Sequence, residues 1–336
     1  MRISVVDAGS NTVRLVVADV AGGVPLPVHT SKWKLRLSEQ VEPDGTIGDR
    51  ALGQLADAVA GAARTAQRWH AAEPLAFGTA VVRNAPNRLD VLRVVHQETG
   101  VPMCTLTGET EAELTFLAAR RWMGWRAGPM AVLDIGGGSL EVAFGRGRVP
   151  DFAASLSLGA GRLTREFFLS EDTPTAAELK ALRRKVRHEL RDVGARIRWE
   201  RPTTAAVTSR TFQQLARLCG AAPGRRGPFS HRRMARGDLR EAVRTLAALP
   251  VDERAQLPGI TAPRAAQSLA GAVVGHTALK LMGLRAATVS PWAIREGVML
   301  RCIEDGPGWW TDVVRDTGTA VPHARGNLRL AADAPA

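Results

Sequence analysis

The sequence predicts an α/β fold built from two α/β domains that face one cleft. The chain has 336 residues, of which 45% are hydrophobic, so it can form one or two sizeable cores. An acidic glycine turn occurs twice, at 7–12 and at 134–139, each time between two hydrophobic, β-branched runs. Each copy is typical of a strand, a tight turn and a second strand. The duplication indicates two halves of related fold and not a short-period solenoid.

The first domain is predicted over 1–125. Gly124 and the pair Gly128-Pro129 interrupt the pattern and mark its end. In chain order, hydrophobic spacing gives strands at 3–6 and 13–17, a helix at 51–69, a strand at 75–79, a helix at 87–97, a strand at 103–106 and a helix at 109–125.

The second domain is predicted over 126–292. Its pattern gives strands at 131–133 and 140–144, a helix at 175–198 that opens with a capping box, a strand at 203–208, helices at 212–218 and 264–282, and a strand at 286–290. A final helix at 293–305 is expected to complete the first domain. The loop 223–237, rich in Gly, Pro and Arg, is expected to be mobile, and 306–336 is predicted to be a disordered tail.

The net charge of +12 favours a polyanionic partner such as nucleic acid, an acidic membrane surface or a phosphate polymer. Nearly all of it comes from arginine, and alanine is abundant, which genomic base composition can also explain, so charge alone does not establish a polyanionic substrate. The helix at 175–198 concentrates basic residues on one side, which is predicted to be solvated or to face a ligand. These residues are Lys180, Arg183, Arg184, Arg187 and Arg191.

Other compositional signals exclude several classes. Cys104, Cys219 and Cys302 lack paired spacing and are expected to be reduced thiols, and the scattered histidines suggest no metal site. The first residues lead directly into a strand with no signal-peptide pattern, and no run reaches the roughly 20 apolar residues of a membrane span. We therefore expect a cytoplasmic protein with no membrane partner. Nucleic acid is disfavoured because aromatic residues make up only 5% and no binding-fold signature occurs.

The two acidic turns predict phosphate binding. Glycines let backbone N–H groups turn toward an anion, and hydroxyl and amide side chains add donors. An Asp beside such donors implies a divalent cation between it and a phosphate. The alternative is two ordinary hairpin turns, but two copies in matching strand contexts favour phosphate. The candidate phosphate-binding residues are Gly9, Ser10, Asn11, Thr12, Gly136, Gly137, Gly138 and Ser139.

Glu111 and Glu141 are candidate acids. Glu109, Glu111 and Glu113 alternate at the start of one predicted helix, where they complement the helix dipole, and at most two of them can face a cleft. Glu141 lies seven residues after Asp134 and within reach of a metal ion bound there. Taken alone, each also fits a structural role.

Six segments together resemble the Ppx/GppA phosphatase family, part of the actin-like ATPase superfamily. They occur in the family's order and spacing from residue 3 to about residue 303. The segments are 6–12, 78–87, 106–112, 134–141, 157–164 and 291–297.

The resemblance implies two actin-like (ribonuclease H-like) α/β domains. It also implies hydrolysis of a terminal phosphoanhydride, in polyphosphate or pppGpp, with Mg²⁺ or Mn²⁺. Glu111 matches the family's general base and Arg83 an arginine of the active-site cleft. Asp7, Asp134 and Glu141 match the acids associated with the metal. We expect Glu111 to stay ionised at its helix N-terminus, which also makes it a weaker base.

The leading hypothesis is an exopolyphosphatase that releases orthophosphate from inorganic polyphosphate, with short chains among the candidate substrates. Arg210 stands where family members often have glycine, which would crowd a nucleotide subsite and favours a phosphate chain over guanosine. Longer members carry a further helical domain, so the processivity attributed to that domain is not implied here. Alternatives are a pppGpp phosphohydrolase, a non-catalytic polyphosphate or alarmone sensor, and an actin-like ATPase or sugar kinase. Homodimers would be unsurprising in this family.

Overall fold

The computed structural model describes residues 1–168 and 173–316. The first of its two sheets has the order β3-β2-β1-β4-β5. The first three strands form an antiparallel meander, and β4 and β5 add in parallel. Their bounds are β1 Arg2–Ala8, β2 Thr12–Ala21, β3 Val24–Lys34, β4 Leu75–Gly78 and β5 Met103–Thr105.

The second sheet repeats this order and adds one strand. It runs β10-β11-β9-β6-β7-β8, so that β8-β7-β6-β9-β11 corresponds to β3-β2-β1-β4-β5, and β10 is antiparallel at the edge. The sequence prediction of two related halves is confirmed. The bounds are β6 Met130–Ile135, β7 Leu140–Gly145, β8 Phe152–Leu156, β9 Thr204–Thr208, β10 Arg233–Ala235 and β11 Ala286–Val289.

Helices cover both faces of each sheet. They are α1 Asp49–Arg68, α2 Ala80–Arg83, α3 Arg88–Thr99, α4 Gly108–Met123, α5 Ala160–Phe167, α6 Ala176–Glu189, α7 Arg191–Glu200, α8 Ser209–Leu218, α9 Arg236–Ala247, α10 Val251–Arg254, α11 Ala262–Leu281, α12 Ile294–Asp305 and α13 Gly308–Asp316. Among these, α4 lies between the sheets: its Leu114 is buried in the core of the first sheet, and its Phe116 packs against the second. The helix that carries Glu111 therefore touches both halves.

Three local predictions were wrong. The edge strand β3 was missed because it contains Pro25 and Pro27 and alternates polar residues, which an edge tolerates. The helix predicted over 175–198 is two helices that meet at Leu190, and no proline or glycine marks that break. The loop predicted to be mobile over 223–237 contains β10 and the start of α9.

The prediction of a disordered tail from 306 is wrong for its first part. Residues Gly308–Asp316 form α13, which buries Trp310 and Val314 against the core of the first sheet. Residues 317–336 lie outside the described part of the chain. The division into domains at residue 125 stays a prediction; α12 packs against α4 and β1. No helix within 1–168 and 173–316 is both long and apolar enough to span a membrane.

Gly297 allows α12 to lie directly on α4. A Cβ built on Gly297 would overlap the carbonyl oxygen of Leu114. We expect Gly297→Ala to lower the free energy of unfolding by about 3 kcal/mol, because packed backbone must move apart. Gly53→Ala is the matched control, since a Cβ there meets nothing within 4 Å and should stabilise α1 by roughly 0.8 kcal/mol. Urea unfolding of both variants tests this, and equal midpoints would contradict it.

Candidate active site

The two acidic glycine turns lie face to face between the sheets. A Cβ built on Gly137 would lie 2.7 Å from Ser10 Oγ, and one on Gly138 would lie 2.9 Å from Ala80 Cβ. A side chain at Gly137 would push the two turns apart, and one at Gly138 would push the second turn away from α2. The structure therefore brings both predicted phosphate-binding turns to one cleft.

The second turn aims its N–H groups away from its own scaffold. The carbonyl of Gly136 accepts a hydrogen bond from Ala160 N at 3.0 Å, and that of Gly137 accepts one from Arg162 N at 2.9 Å. Because a trans peptide points its C=O and N–H in opposite directions, the N–H groups of Gly137 and Gly138 face away from α5. Within the described residues neither N–H donates a hydrogen bond. They are free to bind an anion.

The first turn is built in the same way. Gly9 N donates to Thr12 O at 3.0 Å and closes the turn, while the carbonyl of Ser10 accepts from Ser38 N at 3.0 Å. The N–H of Asn11 therefore points away from residue 38 and has no acceptor in the described part of the chain. Each wall of the cleft thus presents oriented backbone donors.

Strand register pairs an acid with a different partner in each repeat. In the second sheet Asp134 lies directly opposite Glu141, and in the first sheet the equivalent Asp7 lies opposite Arg14. Side chains in such register positions share a face and lie about 5 Å apart at Cβ. One repeat therefore presents two carboxyls and the other a carboxyl and a guanidinium.

Burial raises the pKa values of the acid pair. The pKa of Asp134 rises to about 6, although a hydrogen bond from Thr208 Oγ1 opposes the rise. That of Glu141 rises to about 7 through burial and the charge of Asp134, although the hydroxyls of Ser139 and Ser155 oppose it. Ser155 Oγ donates to Glu141 Oε1 at 3.1 Å. Two carboxyls held together without a cation resist ionisation.

Of the three glutamates at the start of α4, only Glu111 is buried, at 6% exposure. Thr107 caps this helix by accepting a hydrogen bond from Thr110 N at 3.1 Å. Gly108 lets the helix start lie against β8, because a Cβ there would overlap Ser155. This close approach places Glu111 beside the acid pair.

Arg83, at the end of α2, is the counterion of Glu111. Its Nη1 donates to Glu111 Oε1 and also to Leu106 O, the latter at 3.1 Å. Burial, and next the charge of Glu141, nevertheless hold the pKa of Glu111 well above its usual range. The expectation that the helix dipole makes Glu111 a weaker base is wrong, because desolvation outweighs the dipole and raises the pKa. The expectation that Glu111 is ionised stays a prediction. A buried carboxylate of raised pKa is a stronger base.

The sequence analysis missed Arg295 and Thr208 as site residues. Arg295 Nη1 donates to Asp7 Oδ2 at 3.0 Å, while its buried Nε has no partner among the described residues. Thr208 ends β9 just before Ser209, whose φ of 71° is unusual for a residue other than glycine. Arg295 lies in the segment 291–297 that carried the family resemblance, and that was the available signal, whereas Thr208 lies outside all six segments.

Arg210, singled out in the sequence, is one of four cations that lie together beside the turns. Burial, and next the neighbouring charges of Arg210 and Arg14, lower the pKa of Arg264 to about 10. Burial and the charges of Arg14, Arg210 and Arg264 likewise lower the pKa of Lys32. We call Arg14, Lys32, Arg210 and Arg264 the cleft cations. They come from both halves of the chain, so no local motif could reveal them.

The acid pair fits a hard divalent cation. Mg²⁺ usually takes one or two carboxylates and completes its shell with water and phosphate oxygens. Asp134 and Glu141 supply two carboxyls opposite one another on β6 and β7, while Asp7 is engaged by Arg295. Among the described residues no group of three or more His, Cys, Asp or Glu side chains is arranged to hold a metal alone. The predicted metal role of Asp7 therefore stays a prediction.

The raised pKa values predict how pH affects stability. A carboxyl whose pKa is raised by folding stabilises the protein below its unfolded pKa and loses that effect as pH rises through its folded pKa. With values of about 6 for Asp134 and about 7 for Glu141, metal-free protein should become less stable from about pH 5 to about pH 8, by a few kcal/mol. Mg²⁺ binds the ionised form, so it should raise Tm more at the higher pH.

Thermal unfolding with and without Mg²⁺ at both pH values measures this effect. Asp134→Asn should remove most of the pH-dependent response to Mg²⁺, whereas Asp57→Asn on the exposed face of α1 should leave it intact. An equal Mg²⁺ effect on Tm at the two pH values would contradict the assignment.

A cleft with backbone anion donors on both walls and a buried carboxyl beside them is typical of proteins that bind phosphate groups. The comparisons agree with this class. The pattern of the Ppx/GppA phosphatase family matches residues 15–305. The chain is 69% identical over 332 residues to the uncharacterised protein SCO0757 of Streptomyces coelicolor. The alignment covers 98% of this chain and 99% of that protein.

Named relatives and solved structures give the same result. The chain is 42% identical over 322 residues to Exopolyphosphatase 1 of Mycobacterium leprae, covering 94% of this chain and 95% of that protein. An exopolyphosphatase structure from Cytophaga hutchinsonii shares the fold with a TM-score of 0.82 at 23% identity, covering 91% and 99% of the two chains. The PPX-GPPA enzyme of Aquifex aeolicus aligns with a TM-score of 0.77 at 26% identity, covering 89% and 99%. The chain belongs to the Ppx/GppA phosphatase family, and the predicted fold class is confirmed.

Proposed function

We propose that this protein is an exopolyphosphatase that hydrolyses the terminal phosphoanhydride of inorganic polyphosphate and releases orthophosphate. The observation that carries the proposal is the buried Glu111 carboxyl in a cleft where N–H groups of both turns have no acceptor among the described residues. Relatives at 42 and 43% identity named exopolyphosphatase support the substrate class. The predicted roles of the site residues become part of this proposal.

We propose one step for each residue of the site. The N–H groups of Asn11, Gly137 and Gly138 bind the oxygens of the terminal phosphate. Arg83 neutralises the negative charge that develops as the bond between this phosphate and the rest of the chain breaks. Glu111 accepts a proton from the attacking water, which forms the new P–O bond while the bridging oxygen leaves on the shortened chain. Mg²⁺, or Mn²⁺, held by Asp134 and Glu141 would supply further charge stabilisation.

The cleft cations favour a phosphate chain over a nucleotide. Arg210, Arg14, Lys32 and Arg264 place four positive charges in one neighbourhood of the cleft. A chain of phosphates carries charge along its whole length and can engage all four, whereas a guanosine would place a neutral base among them. This extends the earlier argument from Arg210 alone.

A substrate panel tests the proposal. Orthophosphate release with Mg²⁺ is measured from polyphosphates of several lengths, pppGpp and ATP, and kcat/KM is compared. The proposal expects polyphosphate to be preferred, and Arg210→Gly to lower that preference without abolishing turnover. Preference for pppGpp would overturn it in favour of a pentaphosphate phosphohydrolase. Tight polyphosphate or alarmone binding with no turnover would indicate a sensor.

A further inference from the structure

A second basic region lies on the outer side of the second sheet. Two adjoining grooves of 320 and 530 Å³ share Arg187 and Leu281 in their linings. They are bounded by α6, α7, α9 and α11. The outer groove, as we call the two together, is lined by basic side chains that include Arg183, Arg184, Arg198, Arg240, Arg244 and Lys280.

Helical spacing aligns these cations in rows. Arg183 and Arg187 on α6, Arg240 and Arg244 on α9, and His276 and Lys280 on α11 are each four residues apart, so each pair shares one face of its helix. The rows line a common groove. The basic side that the sequence predicted for the first of these helices is therefore part of a three-helix surface.

Most of this charge is unbalanced. Glu241 pairs with Arg244 at 2.9 Å and with Arg240 at 3.4 Å. By contrast, Arg183, Arg184, Arg187, Arg198 and Lys280 make no ion pair with any described residue. Burial, followed by the positive charges of Lys280, Arg236, Arg183 and Arg240, lowers the pKa of His276. Like charges held this close destabilise the fold unless an anion sits among them.

We propose that the outer groove binds a polyphosphate chain at a second site, away from the cleft. This proposal rests on the proposed function. The lining offers cationic donors and aliphatic contacts, and within the described residues it includes no Phe, Trp, amide or carboxylate side chain to read a base. A phosphate polymer is thus a better match than RNA.

The fold connects this groove to the cleft. Helix α11 carries Arg264, one of the cleft cations, near its start and Lys280 near its end. Sixteen residues of α-helix span about 24 Å, so a long chain can occupy both sites while tripolyphosphate cannot. A chain held at two points dissociates more slowly than one held at either point alone. The outer groove therefore gives the protein a preference for long chains.

The test compares two triple variants with equal change in charge. Arg183→Glu, Arg187→Glu and Lys280→Glu alter the outer groove, and Arg50→Glu, Arg64→Glu and Arg88→Glu alter exposed positions on the first domain. Hydrolysis of tripolyphosphate and of long-chain polyphosphate is measured for each. Binding of long-chain polyphosphate is measured separately in the Glu111→Gln background. Glutamine at the same three groove positions repeats the experiment if charge reversal prevents folding.

We expect the groove variant to raise KM and Kd for long chains at least about tenfold and to leave kcat/KM for tripolyphosphate within about twofold. The control variant should keep both substrates within about twofold of wild type. Equal weakening of long-chain binding by both variants would overturn the proposal, because it would show that the net positive charge of the protein attracts polyphosphate without a specific groove.

Two further outcomes are informative. If the groove variant loses binding of homopolymeric RNA but keeps binding of polyphosphate, the proposal is overturned and the ligand of the groove is nucleic acid. Trp199, 82% exposed beside Arg198, would then be the stacking residue to replace. If wild type hydrolyses no polyphosphate yet binds long chains through the groove, the proposed function fails and the groove assignment stands.

Discussion

Glu111→Gln should lower kcat for polyphosphate hydrolysis by roughly 10³-fold while the protein stays folded. Glutamine keeps the size of the side chain and can still accept a hydrogen bond from Arg83, but it cannot take a proton from water. It also removes one of the crowded buried carboxyls, so Tm should stay equal or rise. Affinity for the chain should persist, because the binding groups are on the turns.

Glu113→Gln is the control for this variant, since Glu113 lies on the same helix but is exposed. It should retain full activity. Orthophosphate release under saturating polyphosphate gives kcat for both variants, and circular dichroism verifies folding. Wild-type turnover by Glu111→Gln would show that another group accepts the proton, and the mechanism would be wrong.

Arg83→Ala should lower kcat by roughly 10²–10³-fold and change its pH dependence. In the proposed mechanism Arg83 stabilises the transferred phosphoryl, and its charge opposes the rise in the pKa of Glu111. Without Arg83, Glu111 should hold its proton to higher pH. The acid limb of the profile, where kcat/KM falls as pH is lowered, should therefore shift to higher pH. Arg83→Lys should move the acid limb part of the way back toward the wild-type pH, because the positive charge is kept. It should restore less of kcat, because an ammonium cannot donate two parallel hydrogen bonds as the planar guanidinium can.

Arg88→Ala serves as the comparison, because Arg88 begins the next helix and is exposed. Its pH profile should match wild type. A loss of kcat in Arg83→Ala with no movement of the acid limb would separate the two roles and refute the link between Arg83 and the base.

Sequence reasoning located the parts of the site that lie within one turn or one helix. The turns at 7–12 and 134–139 and the Glu111 segment are local patterns, and the repeat of strand order follows from the duplicated turn. Glu141 was found through its seven-residue spacing from Asp134, which the strand register explains. The same spacing after Asp7 leads to Arg14, and this relation was available in the sequence but was not used.

The rest depended on contacts between distant segments. The cleft cations come from β2, β3, α8 and α11, and only folding brings them together. The raised pKa of Glu111 follows from burial that its helix position does not reveal. Helix α13 was missed because its polar, glycine-containing surroundings hid the two tryptophans that dock it.

The most direct test of the central claim is a crystal structure of Glu111→Gln with Mg²⁺ and tripolyphosphate. The account predicts the terminal phosphate between the two turns, within hydrogen-bond distance of the N–H groups of Gly137 and Gly138 and facing Arg83, with the chain leading toward the cleft cations. A chain bound with its terminal phosphate elsewhere, and the turns unoccupied, would contradict the assignment of this cleft as the site of hydrolysis.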